Sequence, residues 1–193
     1  MRIIYLDSGR LPTEKAHGLQ IMKMCEAFAA GGAEVELVIS SRKNPGAGDP
    51  FEYYQVKRNF EITRLWSLDL VNIVSKYGSW LSRLSFIFTA KRYLKSQRYD
   101  VLYLREHMSG LFFRNFVLEL HILPQKIRRA DLKIWQKARK LVVLTSHTKK
   151  LLVEHGIPEG KILVAPDAVE AAKFEIRNSK RGQHWDCRRI KRS

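Results

Sequence analysis

Cysteine is nearly missing from this chain, with Cys25 and Cys187 the two present in 193 residues. Two thiols so far apart give neither a disulfide framework nor the clustered spacing of a metal site. Free thiols suit a reducing compartment. No stretch reaches the roughly 18 apolar residues that span a bilayer. The opening MRIIYLDSGR is a short apolar strand, shorter than the apolar region of a signal peptide. These absences predict a soluble, cytoplasmic protein. The sequence also lacks internal repeats, low-complexity segments and any G-x-G-x-x-G, so a dinucleotide site is unsupported. Acid is scarce as well: 19 Asp and Glu stand against 35 Lys and Arg, for a formal net charge of +16.

That charge is spread unevenly. Residues 173–193 hold eight Lys or Arg against Glu175 and Asp186, which leaves +10 on the other 172 residues. The body itself is basic, so anionic partners are expected: phosphates, acidic lipid or nucleic acid. The terminal RRIKRS alone gives only salt-sensitive, sequence-blind attraction to nucleic acid. No aromatic platform or known motif supports more, so no specific nucleic-acid partner is expected. Residues 175–193 show no apolar period and read as a basic, disordered tail.

Elsewhere short apolar runs alternate with helical periods. Strands are predicted over Arg2–Leu6, Val35–Ile39, Glu61–Leu65, Val101–Leu104, Phe116–Leu120, Leu141–Leu144 and Lys161–Val164. Between the first two lies a helix from His17 to Ala30, with Leu19, Met22, Cys25, Phe28 and Ala29 on its inner face and Gly31–Gly32 ending it. A polar loop with Pro45, Gly46, Gly48 and Pro50 leads to the third strand. A long helix over Trp80–Leu94 carries Trp80, Leu84, Ile87 and Leu94 along one stripe. MSGLFF reads as a helical turn or two, Lys126–Lys140 as a helix and Ser146–His155 as another. Near-continuous apolar strands alternating with helices predict an α/β domain, a doubly wound parallel sheet covered on both faces. At 193 residues such a domain buries roughly 70% of its unfolded surface.

Sheets of this kind bind ligands outside the carboxyl ends of their strands. The candidate site residues are therefore the loop from Asp7 to Gly18, Arg105 and Glu106, His121, and Thr145 with Ser146. Each also has a plainer reading. Gly18 permits a tight turn, and Arg105 and Glu106 form a local ion pair. His121 is a strand-end histidine, and Ser146 is the N-cap of the following helix. Glu119, the one polar residue of its strand, is buried only if it is paired. The segment Trp80–Arg98 flanks its apolar stripe with Lys76, Arg83, Lys91, Arg92, Lys95 and Arg98. A basic amphipathic helix of that kind either packs on the sheet with a solvated face or lies on an anionic membrane surface.

Three segments carry a resemblance to a known family: GRLPTEKAHGLQIMKMCEAFAAGGAEVELVI, FVLELH, and LVVLTSHTKKLLVEHGIPEGKILVAPDAVEAAKF. The first resembles the opening strand–loop–helix–strand unit of family-4-type glycosyltransferases with the GT-B architecture. The second is similar to their strand ending in an acidic-x-His element, and the third to the last helix and strand before the interdomain hinge. The resemblance implies an N-terminal, acceptor-side, Rossmann-like domain over 1–174, one of two such domains facing across a cleft. It implies a retaining transferase whose nucleotide-sugar donor is a substrate and which needs no metal or other cofactor. His121 would stand beside the transferred sugar. His17 and Gly18 would approach the donor phosphates, Arg105 and Glu106 the acceptor or a phosphate, and Thr145 and Ser146 the ligand from a helix start. Two departures accompany it: the hinge reads PDAVE where the family usually has PNGVD, and the segments on either side of FVLELH are compressed.

A truncated transferase, inactive alone, is therefore expected, its donor-binding domain either lost or separately encoded. The acceptor's identity stays open, as does a peripheral position at the inner face of a membrane. The alternative is a non-catalytic module that binds glycan, lipid or nucleotide.

Overall fold

The structure, a computed structural model, describes residues 1–42, 48–69 and 78–166. Alternate residues of a strand point to opposite faces, and these strands are apolar on both, so each needs helices above and below it. The chain supplies them in turn: β1 (Arg2–Asp7), α1 (Ala16–Ala30), β2 (Glu34–Ser40), α2 (Pro50–Tyr54), β3 (Glu61–Leu65) and α3 (Gly78–Leu94). Then come β4 (Val101–Leu104), a 3-10 turn at His107–Leu111, β5 (Phe116–Leu120), α4 (Arg129–Lys137), β6 (Lys140–Val143), α5 (Ser146–Glu154) and β7 (Ile162–Val164).

Every strand pair is parallel, in the order β3-β2-β1-β4-β5-β6-β7. Register places Leu6 of β1 level with Val38 of β2 and Leu104 of β4. The chain winds outward in one direction through β2 and β3, then returns past β1 to continue in the other. The connections after β1 and β4 therefore diverge, and a crevice opens at their carboxyl ends. The architecture is a Rossmann-like doubly wound α/β sheet.

Strand parity sorts the core into two layers. Even-numbered residues of β1, β4 and β5, such as Ile4, Leu6, Leu102, Leu104, Phe116 and Leu118, pack with Phe86 and Ile87 of α3 and Ile134 and Trp135 of α4. Odd-numbered ones, such as Ile3, Tyr5 and Tyr103, pack with Ile21, Met22 and Cys25 of α1 and Tyr54 of α2. Cys25 is a buried free thiol, as its place in the helical period predicts.

The helices differ from expectation in instructive ways. Leu19 is exposed, and Gly18 and Ile21 take the inner face of α1 beside Met22 and Cys25. The buried stripe of α3 runs through Phe86, Ile87, Ala90 and Leu94, leaving Trp80 outside. α4 begins only at Arg129, where Asp131 accepts the Arg128 N–H at 2.7 Å. α2 is absent from the predicted elements, yet its start is written in Asp49–Pro50. The Asp49 carboxylate accepts the N–H groups of Phe51 and Glu52, and Pro50 occupies the first turn, where no donor is needed. The expected boundary at 174 and the tail 175–193 lie outside the described residues.

Short α2 fixes the loop after β1. The Tyr54 hydroxyl donates to the Thr13 carbonyl at 2.8 Å and accepts from the Thr13 N–H at 2.6 Å. It lies directly over Gly18, where a Cβ atom would stand 2.1 Å from the hydroxyl oxygen. Gly18→Ala is thus expected to lower stability by about 1–3 kcal/mol. The loss should shrink by at least about 0.5 kcal/mol in a Tyr54→Phe background, because the obstructing oxygen is gone. Urea unfolding of the four-member cycle measures this, and strict additivity would overturn it.

Candidate active site

Six side chains converge where β1, β4 and β5 end beneath α1. Parity selects them: Tyr5, Asp7, Tyr103, Arg105 and Glu119 all lie on the α1 side of their strands, and His121 continues the series just past β5. Tyr5 and Tyr103 stack with centroids 4.8 Å apart. Tyr5 donates its hydroxyl to Glu119 Oε2 at 3.2 Å. Arg105 holds Gln20 Oε1 of α1 at 2.7 Å, and its Nη1 lies 3.7 Å from Glu119 Oε1. His121 Nε2 hydrogen-bonds the same carboxylate oxygen.

Glu119 has a side chain only 2% exposed. Burial alone would raise its pKa. The hydrogen bond from His121 and the Arg105 charge outweigh burial and hold the carboxyl below its ordinary range, so it is ionised at neutral pH. Tyr103 and Tyr5 shift the opposite way, pushed up by burial and by the Glu119 charge, and remain neutral donors. An ionised carboxylate only accepts, so His121 Nε2 carries the proton and donates it. Among the described residues no group hydrogen-bonds His121 Nδ1. The imidazole lines a cleft of about 190 Å³ with Arg105, His107, Glu119, Leu120 and Ile122.

A second group lies at the end of β1. Asp7 is buried, and burial raises its pKa although the Gly9 N–H, at 2.9 Å, and the charges of Arg105, His17 and Arg42 pull it down. His17 shifts the other way: partial burial lowers its pKa against the pull of Asp7. A Cβ at Gly9 would meet Asp7 Oδ2 at 2.5 Å and His17 Nε2 at 3.9 Å, so the glycine lets the backbone pass between them. Arg42 leans over this loop, donating to the Ser8 carbonyl at 2.7 Å. α1 itself starts with no side-chain cap and no acidic residue in its first turn. Positive charge and a helix start thus face one crevice, a setting suited to an anion. Among the described residues no group of three or more His, Cys, Asp or Glu could hold a metal ion.

Residues 18–173 match the sequence profile of Glycosyltransferase Family 4. The chain belongs to that family. Solved structures with this fold include sucrose-phosphate synthase from Thermosynechococcus elongatus, 16% identical with a TM-score of 0.60, the match covering 91% of this chain and 52% of that one. HepE of Anabaena, in complex with UDP and glucose, is 11% identical with a TM-score of 0.55, over 93% of this chain and 50% of that one. The lipopolysaccharide outer core galactosyltransferase WaaB in its apo form is 14% identical with a TM-score of 0.55, over 88% and 46%. At such identities the likeness is one of fold, the GT-B glycosyltransferase half-fold. The chain spans about half the length of these proteins. A search of curated proteins returns no match.

Within this family-4 fold the predicted site residues separate into groups. Arg105 and His121 come together on Glu119, and His17 stands beside Asp7 and Gly9. Gly18 is buried under Tyr54, one layer below the crevice. Glu106 points to the other face of the sheet, where it pairs with Arg83 of α3 and accepts from Ser109 Oγ at 2.9 Å. The expected ion pair between Arg105 and Glu106 therefore does not form; neighbours in an extended chain point to opposite faces. Thr145 and Ser146 sit on the same rim, one strand beyond His121, and both are exposed. Thr145, not Ser146, is the N-cap of α5: its backbone is extended and its hydroxyl accepts the Thr148 N–H at 3.1 Å. Asp7 opens the candidate loop that the sequence marks, whereas Gln20 and Arg42 were not singled out from it. Those two become visible only once α1 and β2 are placed.

Glu119→Gln should lower the unfolding free energy at pH 7 by about 3 kcal/mol, because it leaves Arg105 and the His121 N–H facing a neutral group. A carboxyl whose folded pKa lies below its ordinary 4.5 contributes stability that is complete above that value and is lost as pH falls through the folded one. The gap between wild type and variant in urea unfolding should therefore close below pH 4.5. A gap independent of pH would show that the charge is not what stabilises.

Proposed function

We propose that this chain supplies the acceptor-side half of a retaining sugar transferase that takes its donor as a nucleotide-sugar. The observation that carries the reading is His121, held through Nε2 by an ionised carboxylate shared with Arg105. With Nε2 engaged by Glu119, His121 has Nδ1 left to hydrogen-bond a sugar hydroxyl in the cleft that the ring lines. Arg105 fixes the carboxylate, and Gln20 fixes Arg105, so the ring's orientation is set before any sugar arrives. Preorganisation of this kind is worth more in a transition state than in a flexible ground state.

The crevice between β1 and β4 supports the other half of the reading. His17, Arg42 and the uncapped start of α1 would receive the donor's diphosphate from one side. HepE, half of whose length has this fold, is known in complex with UDP and glucose, which supports a nucleotide-sugar as the donor class. Thr145 and Ser146, on the outer rim, would meet the acceptor. The groups that neutralise the departing diphosphate belong in this reading to a second, donor-binding half, and no resident metal or cofactor takes part.

The purified chain given UDP-glucose and simple sugar acceptors is expected to show no repeated turnover. Multiple turnovers by the chain alone would overturn the requirement for a second half. Joined to the donor-binding half of a family-4 enzyme, it should transfer sugar, with His121→Ala lowering kcat by about 10²–10³. A folded chimera that transfers no sugar favours a non-catalytic binding module instead, and one that transfers it equally well without His121 overturns the role given to that residue.

A further inference from the structure

One face of the molecule has no counterpart in the reaction. α3 grips the sheet through Phe86, Ile87, Ala90 and Leu94. On its far side Trp80 is 50% exposed and Phe88 73%, with Leu81 exposed beside them. Residues 80, 84, 88, 91 and 95 fall on one line along a helix, so Trp80, Leu84 and Phe88 continue directly into Lys91 and Lys95, flanked by Arg92. Trp66 and Leu68, following β3, extend the apolar end. They are pinned there by the Thr89 hydroxyl on the Trp66 carbonyl at 2.8 Å and by the Leu68 N–H on Ser85 Oγ at 2.9 Å.

The other end is cationic. Residues 78–98 contain no Asp or Glu. Lys91, Arg92 and Lys95 are all exposed, and a groove of about 590 Å³ lined by Thr89, Arg92, Tyr93, Lys95 and Ser96 runs beside them. Arg83, nearer the start of the helix, is committed to Glu106. Lys76 lies outside the described residues.

We infer that this outer face of α3, with Trp66 and Leu68, docks on an anionic bilayer surface. Tryptophan beside aliphatic residues suits the boundary between headgroups and acyl chains. Three adjacent cations at the end of the same stripe suit the lipid phosphates, with Arg92 and Lys95 holding them in the groove. Charge decides against a second copy of the chain. A two-fold contact through this stripe would set Lys91, Arg92 and Lys95 near their own counterparts, between molecules of net charge +16. The inference does not rest on sugar transfer. Arg83 ties the apolar end of α3 to Glu106, so the docked face adjoins the rim where the crevice opens.

The test is co-sedimentation of the full chain with phosphatidylcholine vesicles, with and without phosphatidylglycerol. Binding should need the anionic lipid and should weaken with salt. Neutralising all three cations (K91Q, R92Q, K95Q) should cost on the order of a hundredfold in partitioning at low salt, about fivefold for each. Trp80→Ser with Phe88→Ser should cost at least about tenfold. All five positions are solvent-facing, so circular dichroism should be unchanged. A control variant neutralising Arg188, Arg189, Lys191 and Arg192 should retain most of the binding. Binding lost only in that control, or unaltered by both α3 variants, would overturn the inference. So would light scattering showing that the α3 face joins two copies in solution while vesicles stay bare.

Discussion

A single buried carboxylate organises the carboxyl edge of this sheet. Burying a charge is unfavourable unless partners replace the water it loses. Glu119 meets that condition with the Tyr5 hydroxyl, the Arg105 guanidinium and the His121 imidazole. These three partners come from β1, from the end of β4 and from the end of β5, so satisfying the charge fixes the relative positions of three strands at their tips. Gln20 extends the constraint to α1 through Arg105. The arrangement that makes the carboxylate tolerable is also the one that aims His121. Stability and positioning here rest on the same hydrogen bonds and ion pair.

The opposite end of the sheet offers a comparison. Glu36 of β2 is also buried, and is met by Arg2 at 3.0 Å, by the Thr63 hydroxyl at 2.6 Å and by the Tyr93 hydroxyl. The chemistry is nearly the same, yet every partner there serves the scaffold, and Tyr93, which lines the groove beside α3, has its hydroxyl committed to Glu36. What distinguishes the Glu119 cluster is its place. It lies where the strand order reverses and the loops diverge, and one of its partners, His121, lines the cleft there. Buried ion pairs alone do not mark a site; a partner with an unused valence at a topological opening does.

Strands were readable because a parallel sheet covered on both faces demands near-continuous apolar runs, and Val35–Ile39, Phe116–Leu120 and their fellows have little else. Helix faces were harder. Trp80 and Leu84 fit a 3.6-residue period as well as Phe86 and Ala90 do, and only the position of the sheet decides which stripe is buried. Strand parity, by contrast, was available and informative. Applied to Arg105 and Glu106, it places one with Tyr103 on the α1 side and the other with Leu104 on the α3 side, which separates their partners. The contacts of Gln20 and Arg42 had no such local signal, because each depends on how far a helix or loop carries it across the sheet. Thr145 and Ser146 are equally good caps by residue type. The choice fell to where the extended backbone ends, a boundary that propensity alone leaves open by a residue.

Two kinds of ionisable group therefore share the crevice. Glu119 and Arg105 match each other, and their charges are fixed by mutual attraction. Asp7 and His17 are shifted toward neutrality, the acid upward and the base downward, by burial that their surroundings only partly offset. Groups held near neutrality by desolvation respond to whatever charge arrives beside them. An incoming diphosphate would raise both pKa values, adding to the upward shift of Asp7 and reversing the downward shift of His17, so both groups would favour their protonated forms. A matched pair keeps its geometry on binding, whereas this pair takes up protons. The crevice thus joins a rigid wall at β5 to a responsive wall at β1, a division that suits one wall to orienting a sugar and the other to receiving a charge.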